Sequence, residues 1–412
     1  MAIVVQKYGG SSVADADKIK NVARRAVSAK EKGNDVVVVV SAMGKTTDNL
    51  IKLANQITEQ PDERELDVLL STGELISSTL MAMALKSMGY EAISLSGAQA
   101  GIQTDKIFSR ARILGVEAKR MIQELNSGKI VIVAGFQGIT SEMDVTTLGR
   151  GGSDTTAVAL AIALKANICE IYTDVKGVYT ADPRIVHEAR QLKDIGYEEM
   201  LEMATYGAKV MHSRAVELGW IYDMPIMVAS SFTDDPGTLI HGGVAMEARN
   251  KVSGIVHDLN VAKVTVLGVP DKPGIASALF DSLANENISV DTIVQNASVN
   301  RVTDLTFTVA KSDLDKAMRV IEPVAKSIDA KGCVANAKLG KISIVGTGMQ
   351  NTPGYAARMF RALYEKGINI ELITTSEIRI TCIIDESRVE DAIRALHQTF
   401  ELDKVKGSDI SS

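Results

Sequence analysis

Five consecutive valines, Val36 to Val40, set the strictest limit on how this chain folds. β-Branched side chains favour extended backbone, and a strand that is apolar at every position, rather than every second one, leaves no face for water. Such a strand belongs to a parallel sheet covered by helices on both sides. Short apolar runs recur at Ile3 to Gln6, Ile130 to Ala134 and Ile168 to Thr173, separated by stretches of helical periodicity. That alternation predicts α/β layering in the amino-terminal half.

The valines lead into Ser41-Ala42-Met43-Gly44-Lys45-Thr46-Thr47, which is spelled like the tail of a nucleotide-binding P-loop. A P-loop needs a glycine five positions before its second glycine, and Val39 stands there, inside the strand. Phosphates, if bound, sit elsewhere.

At 412 residues the chain exceeds one ordinary core, so two or three domains are expected. A net charge of -6 offers no broad basic surface, which argues against nucleic acid or an anionic membrane as partner. Cys169, Cys333 and Cys382 are odd in number and far apart, which suits reduced thiols. His187, His212, His241, His257 and His397 show no ligand spacing, so a transition-metal site is not expected. The start, MAIVVQKYGG, lacks the cationic and apolar segments of a leader, and Ala157 to Leu164 is too short to span a bilayer. A cytoplasmic protein is expected.

Turn-rich punctuation at Asp234-Asp235-Pro236-Gly237 and His241-Gly242-Gly243 marks a division near residue 245. Beyond it lies an internal repeat. Lys263 to Gly268 aligns with Lys341 to Gly346, and Pro273-Gly274 with Pro353-Gly354 when two extra residues are allowed in the second copy. Phe280, Leu283 and Ile288 then match Phe360, Leu363 and Ile368. Each copy reads as strand, turn, helix, two strands and a closing helix, the order of a ferredoxin-like βαββαβ module. The expected boundaries are 1–245 for the α/β domain, 246–262 for a linker and joining strand, 263–337 for the first module and 338–412 for the second.

Three polar clusters in the α/β half are candidates for a site. Lys7-Tyr8-Gly9-Gly10-Ser11-Ser12 follows a strand and precedes a helical stretch, Ala14 to Lys30, so backbone amides, a helix N-terminus and a mobile lysine converge on one turn. Leu148-Gly149-Arg150-Gly151-Gly152-Ser153-Asp154 precedes the helical stretch Ala157 to Ala166. Ser153 or Asp154 can cap that helix, but Arg150 has no capping use, and its planar fork suits a carboxylate or phosphate. Tyr172 to Arg184 lies at the carboxyl end of a strand, where α/β sheets bind ligands.

These segments carry a family resemblance. KYGGSSV, VSAMG, STGELIS (Ser71 to Ser77), AGFQG (Ala134 to Gly138), LGRGGSDTTA and YTDVKGVYTADPR look like the aspartate kinases of the amino acid kinase fold. The Pro-Gly repeats and TTSEIRI (Thr374 to Ile380) resemble the ACT modules that regulate such enzymes. The resemblance implies a three-layer αβα domain with a mainly parallel sheet followed by two ACT modules. It implies transfer of the γ-phosphoryl group of ATP, with Mg²⁺, to the side-chain carboxylate of L-aspartate. That reaction opens lysine, threonine and methionine biosynthesis.

By the same resemblance Lys7 stabilises the transferring group and Asp154 orients Lys7 or the metal. Ser41, Thr47, Glu74, Arg150 and Ser153 line the aspartate pocket, with Arg150 on a carboxylate and Glu74 on the amino end. ATP draws on Lys7, Tyr8, Gly9, Gly10, Thr173, Asp174, Tyr179, Asp182, Arg184 and Lys209. No protein-only metal site is implied. Lysine, threonine or both are expected as feedback effectors at Asp271, Asp291, Gln295, Asn369, Ile370, Ser376 and Glu377, and a homo-oligomer is expected through the ACT modules. Two alternatives stand: a kinase of the same fold acting on glutamate, carbamate or a nucleoside monophosphate, and a non-catalytic amino-acid sensor. Glu74 beside the ACT pair weighs against the first, and intact Lys7, Arg150 and Asp182 against the second.

Overall fold

A computed structural model describes residues 2–208, 210–243, 251–296, 302–349 and 352–404. Packing divides the chain into two units, one of Met1–Tyr179 with Gln191–Ala245 and one of Thr180–Arg190 with Met246–Ser412. The segment Thr180–Arg190, which lies inside the amino-terminal half by sequence, packs within the second unit.

The strands of the first unit are β1 (Ile3–Tyr8), β2 (Asp35–Val40), β3 (Ala92–Leu95), β4 (Ile102–Thr104), β5 (Ile113–Val116), β6 (Ile130–Ala134), β7 (Gln137–Ile139), β8 (Val145–Thr147), β9 (Ile168–Thr173), β10 (Asp194–Gly196), β11 (Ile226–Ser230) and β12 (Thr238–His241). Its helices are α1 (Ala16–Glu31), α2 (Thr46–Ile57), α3 (Glu63–Ser87), α4 (Lys119–Asn126), α5 (Gly152–Ala163), α6 (Tyr197–Tyr206) and α7 (Ser213–Ile221). An eight-stranded sheet runs β10-β12-β11-β9-β1-β2-β6-β3, parallel except where β11 meets β12. A smaller sheet runs β5-β4-β7-β8.

The valine strand behaves as its composition requires, with Val36 to Val40 fully buried. Even-numbered residues Val36, Val38 and Val40, with Tyr8, pack against Ile19, Val22 and Ala26 of α1 and Met81 and Leu85 of α3. The pleat therefore turns Val5, Lys7, Val37 and Val39 to the opposite layer, that of α5. α3 is long and apolar enough to cross a membrane by length and composition, but its buried side builds the core and carries Asp67 and Glu74. Asp62 caps it by accepting from the amides of Arg64 and Glu65.

Two elements differ from the sequence reading in ways that matter for the site. β1 continues two residues past Gln6, because Lys7 and Tyr8 pair with Val39 and Val40 on one side and Ile171 and Tyr172 on the other. Lys7 is thus a strand residue, not a mobile cation in a turn. α5 begins at Gly152, so Ser153 and Asp154 sit in its first turn, and the cap position is Gly151 in the left-handed region (φ 70°).

The second unit contains β13 (Gly254–Pro270), α8 (Ile275–Asn285), β14 (Val290–Gln295), β15 (Val302–Val309), α9 (Leu314–Ser327), β16 (Gly332–Val345), α10 (Tyr355–Glu365), β17 (Leu372–Thr375), β18 (Arg379–Asp385) and α11 (Val389–Thr399). One antiparallel six-stranded sheet, β14-β15-β13-β16-β18-β17, serves both repeats. The long β13 and β16 run through both copies. The sheet position that a strand after α11 would fill in the second copy is taken by Gly254–Asp258, which precedes the first copy and pairs with Lys341–Val345. The matched repeat residues do matched work: Leu283 and Ile288, with Phe280 against them, belong to one core, and Leu363 and Ile368, with Phe360, to the other. Ala181 and Val186 of the Thr180–Arg190 segment are buried in that second core with Ile255, Ile342 and Leu396, and the Thr180 hydroxyl lies 3.0 Å from His397 Nε2.

Candidate active site

The carboxyl ends of β1, β9 and β11 lie side by side. The Gly9 amide donates to Tyr172 O (3.2 Å), the Ser231 amide to Thr173 O (2.9 Å), and the Ser12 and Ser231 hydroxyls are 2.7 Å apart. Gly9, Gly10, Thr173 and Asp174 therefore emerge together at one rim, the place where an α/β sheet of this kind takes ligands. Two expectations change here. The Gly9 amide is engaged by Tyr172, so the glycine pair does not offer both amides to an anion. The Tyr8 side chain is fully buried, its ring stacked on Tyr172 at 4.9 Å, so it faces the core and not a nucleotide.

Lys7 and Asp154 form the centre of the α5 side. Nζ lies 2.6 Å from Asp154 Oδ1, with both side chains nearly buried, although the approach lacks the alignment of a hydrogen bond. Asp154 Oδ2 accepts from the His212 amide at 3.3 Å. The first turn of α5 comes close to β6, and Gly135 makes room for it, since a Cβ there would lie 2.9 Å from Ser153 Oγ.

Arg150 sits on a turn between Gly149 (φ 75°) and Gly151 (φ 70°). It is exposed, and among the described residues no ion pair or hydrogen bond engages it. Gly151 has no alternative, because a Cβ would lie 2.3 Å from the His212 ring.

On α3, Glu74 is 3 % exposed. Its Oε1 accepts from the Ala42 amide at 3.1 Å, while its buried Oε2 finds no partner among the described residues. Burial pushes its carboxyl up to about 7, opposed by the backbone hydrogen bonds it accepts. Ser41 is adjacent: its amide donates to Tyr8 O (3.1 Å) and its carbonyl accepts from Ser77 Oγ (2.8 Å). Thr47, expected in the aspartate pocket, lies with Thr46 in the first turn of α2.

The remaining nucleotide candidates divide. Tyr179 stays in the first unit, bridged to Gln191. Asp182 and Arg184 belong by packing to the second unit and engage each other: the guanidinium donates to both carboxylate oxygens at 3.0 and 2.7 Å, and this contact leads the causes that hold the Asp182 carboxyl below its usual range. Lys209 lies outside the described residues.

Of the effector candidates, Asp291 and Gln295 lie on β14, Asp271 follows β13, Asn369 and Ile370 precede β17, and Ser376 and Glu377 turn between β17 and β18. β14 and β17 are the two edges of the sheet. Val294 nonetheless packs on Val261, Leu339, Leu372 and Ile383, and the ion pairs Lys341–Asp291 and Lys263–Glu371 cross from one repeat to the other. Asp291, expected to hold an effector's ammonium, already holds that of Lys341.

Three residues at the site are given no role there by the sequence. His212 presses on Gly151. Asp67, fully buried, accepts from the Ser109 amide (2.9 Å), the Thr147 amide (2.8 Å) and the Thr147 hydroxyl (2.6 Å). Arg214 donates to Leu148 O (2.7 Å) and Ala111 O (3.0 Å). The partners of Asp67 and Arg214 are 42 to 103 positions away, so no local spacing announces them.

Comparison with known proteins identifies the family. The profile of the Amino acid kinase family matches residues 2–230, and that of the ACT domain matches 264–323 and 342–400. An aspartokinase of Bacillus sp. (strain MGA3) is 49 % identical over 402 residues, covering 98 % of this chain and 98 % of that protein. E. coli aspartokinase III in complex with aspartate and ADP (R-state) superposes with a TM-score of 0.82 at 27 % identity, covering 96 % of this chain and 99 % of that one. The same enzyme in complex with lysine and aspartate (T-state) gives 0.75 at 27 % identity, covering 97 % and 99 %.

Proposed function

We propose, for a chain that belongs to the aspartokinases of the amino acid kinase family and is an ATP-dependent phosphotransferase, that the acceptor is the side-chain carboxylate of L-aspartate and the product 4-phospho-L-aspartate, with ADP leaving. The observation that carries this reading is Glu74. A carboxylate nearly closed off from water, with one oxygen unpartnered and its pKa raised by burial, is a costly feature unless a ligand supplies the missing cation. The ammonium of an amino acid is such a cation. Glutamate kinases, carbamate kinases and nucleoside monophosphate kinases differ in the acceptor; of these acceptors only glutamate shares the ammonium.

Arg150, unengaged and carried on a glycine turn, supports recognition of a carboxylate by its planar fork. Ser41, Thr47 and Ser153 complete the acceptor pocket in this reading. Gly9, Gly10, Thr173, Asp174 and Tyr179 form the nucleotide rim of the first unit. Attack of a carboxylate on a phosphoryl group is resisted by repulsion, so catalysis rests on positioning and charge neutralisation and needs no nucleophilic side chain. Lys7 is the cation for the transferring group, and Asp154 keeps its ammonium in place while the His212 amide holds Asp154. The oxygen-rich rim, with the Asp174 carboxylate and Thr173 hydroxyl beside the glycine turn, fits a hard cation brought in with the triphosphate; Mg²⁺ supplies further neutralisation of phosphate charge. The chain is proposed to act in the cytoplasm as a homo-oligomer, with lysine or threonine acting through the ACT repeats.

A coupled ADP-release assay with Mg²⁺, ATP and a panel of acids tests the reading. Aspartate is expected to be the preferred acceptor. Turnover on glutamate but not on aspartate overturns it.

A further inference from the structure

The turn that carries Arg150 is anchored on both flanks by side chains that touch no proposed ligand. Upstream, residues 109–111 run beside residues 147–148: the Ala111 amide donates to Thr147 O at 2.9 Å, and Gly149 is so close to this segment that a Cβ would lie 3.1 Å from Ser109 O. Two groups of opposite polarity, the buried Asp67 and the half-buried Arg214, lock the pair of segments. The Asp67 carboxylate gathers the amides of Ser109 and Thr147 and the Thr147 hydroxyl. The Arg214 guanidinium gathers the carbonyls of Leu148 and Ala111. Downstream, the segment bearing Arg214 presents His212, whose ring packs on Gly151, whose amide holds Asp154, and whose Nδ1 accepts from the Arg214 amide at 3.3 Å.

We propose that Arg214 is a positioning residue for acceptor recognition: by bridging the Leu148 and Ala111 carbonyls it fixes the Gly149–Gly151 turn and so aims Arg150 at the substrate carboxylate. The geometry explains why the residue is arginine. Two carbonyls on separate segments are reached at once by a planar fork with parallel donors, whereas a lysine ammonium at the end of a flexible stem meets one of them well and leaves the other without its donor. Both acceptors are neutral backbone carbonyls, so what this grip fixes is the position of two backbone segments. Glycines on both sides of Arg150 restrict the backbone of the turn little, so its direction must come from outside, and Arg214, Asp67 and His212 are the groups that supply it.

The inference rests on reading Arg150 as the acceptor's partner, and the test separates the two. Steady-state kinetics of the full-length enzyme are measured for Arg150→Ala, Arg214→Gln, Arg214→Lys and the double variant Arg150→Ala/Arg214→Gln, with thermal unfolding recorded for each. Arg214→Gln is expected to raise KM for aspartate about tenfold or more while KM for ATP moves by less than about twofold, the pattern of lost acceptor binding. Arg214→Lys is expected to fall between wild type and Arg214→Gln. In the double variant the second substitution is expected to add less than about a twofold change to Arg150→Ala, because both act through one group. An unchanged aspartate KM in Arg214→Gln, a parallel rise in both KM values, or effects that multiply in the double variant each overturn the inference. If Arg214→Gln does not fold, Arg214→Lys decides by the same criteria. An unchanged aspartate KM in Arg150→Ala overturns instead the reading of Arg150 on which the inference stands.

Discussion

Glu74→Gln probes the acceptor pocket most directly. The wild-type carboxyl is raised from an ordinary 4.5 to about 7 by burial, and glutamine keeps an acceptor for the Ala42 amide while removing the titration. An acid whose proton is held more tightly in the folded chain adds stability that is fully present below its unfolded pKa and is lost as pH rises through its folded pKa. The window is therefore from about 4.5 to about 7. A difference of roughly 2.5 units corresponds to about 3 kcal/mol, of which about 2 kcal/mol falls between about pH 5.5 and about pH 8.5. Glu74→Gln should gain on wild type by that amount across this range in the ligand-free protein, a relative shift of several degrees in Tm for a unit of this size. Thermal and urea unfolding at four or five pH values measure it. Aspartate should narrow the gap, because an ammonium facing Oε2 restores the ionised form; by the same linkage KM for aspartate should rise as pH falls below about 7. A stability difference that stays flat with pH in the ligand-free protein refutes the picture of a buried, uncompensated acid.

Lys7→Ala should lower kcat about 100-fold or more, the range for losing one transition-state charge donor, and should also destabilise the fold by stranding Asp154 in a nearly buried site. An unchanged kcat at saturating substrates removes Lys7 from the mechanism. His397→Ala should loosen the Thr180–Arg190 segment from its core, at a cost of about 1–3 kcal/mol, and expose it to limited proteolysis. Burial holds the wild-type imidazole below its ordinary 6.5, so its contribution is present above that pH and is lost as pH falls. Equal cleavage rates of variant and wild type at neutral pH count against that anchoring role. Ser376→Ala and Gln295→Ala should relieve inhibition by lysine or threonine without changing the uninhibited rate; inhibition curves that overlay wild type in both variants place the effector elsewhere.

What could be read from the sequence follows from which forces act locally. Val36 to Val40 and Ile130 to Ala134 announce themselves because β-branched side chains and continuous burial leave one solution, and both strands occur as expected. The two ends that mattered most for chemistry were displaced, for reasons outside their own residues. Lys7 is strand because parallel neighbours on both sides extend the ladder past Gln6. α5 starts early, in glycines with poor helix propensity, because Gly151 takes the left-handed cap and Gly152 is packed so closely that a Cβ would lie 2.9 Å from Leu148 and Phe136. Both displacements move a charged side chain, Lys7 or Asp154, from a loop into a packed layer, and that is how the ion pair between them arises.

The same reasoning explains why the repeat was visible and its assembly was not. Matched apolar positions such as Leu283 and Leu363 or Ile288 and Ile368 are a property of each copy alone, and periodicity exposes them. Which strand completes each copy is a question of pairing over long separations, where sequence alone carries no register. The structure answers it with two strands that serve both copies: β16 crosses from the first to the second without a break, and the first five residues of β13 stand in as a strand of the second. A cut between the copies, at residue 337 or 338, therefore severs a strand in mid-ladder. Nor does a separate second copy retain Gly254–Asp258, because those residues precede the first. The two repeats are consequently one folding problem, joined further by the pairs Lys341–Asp291 and Lys263–Glu371. A ligand that favours one arrangement of these pairs acts on both repeats at once.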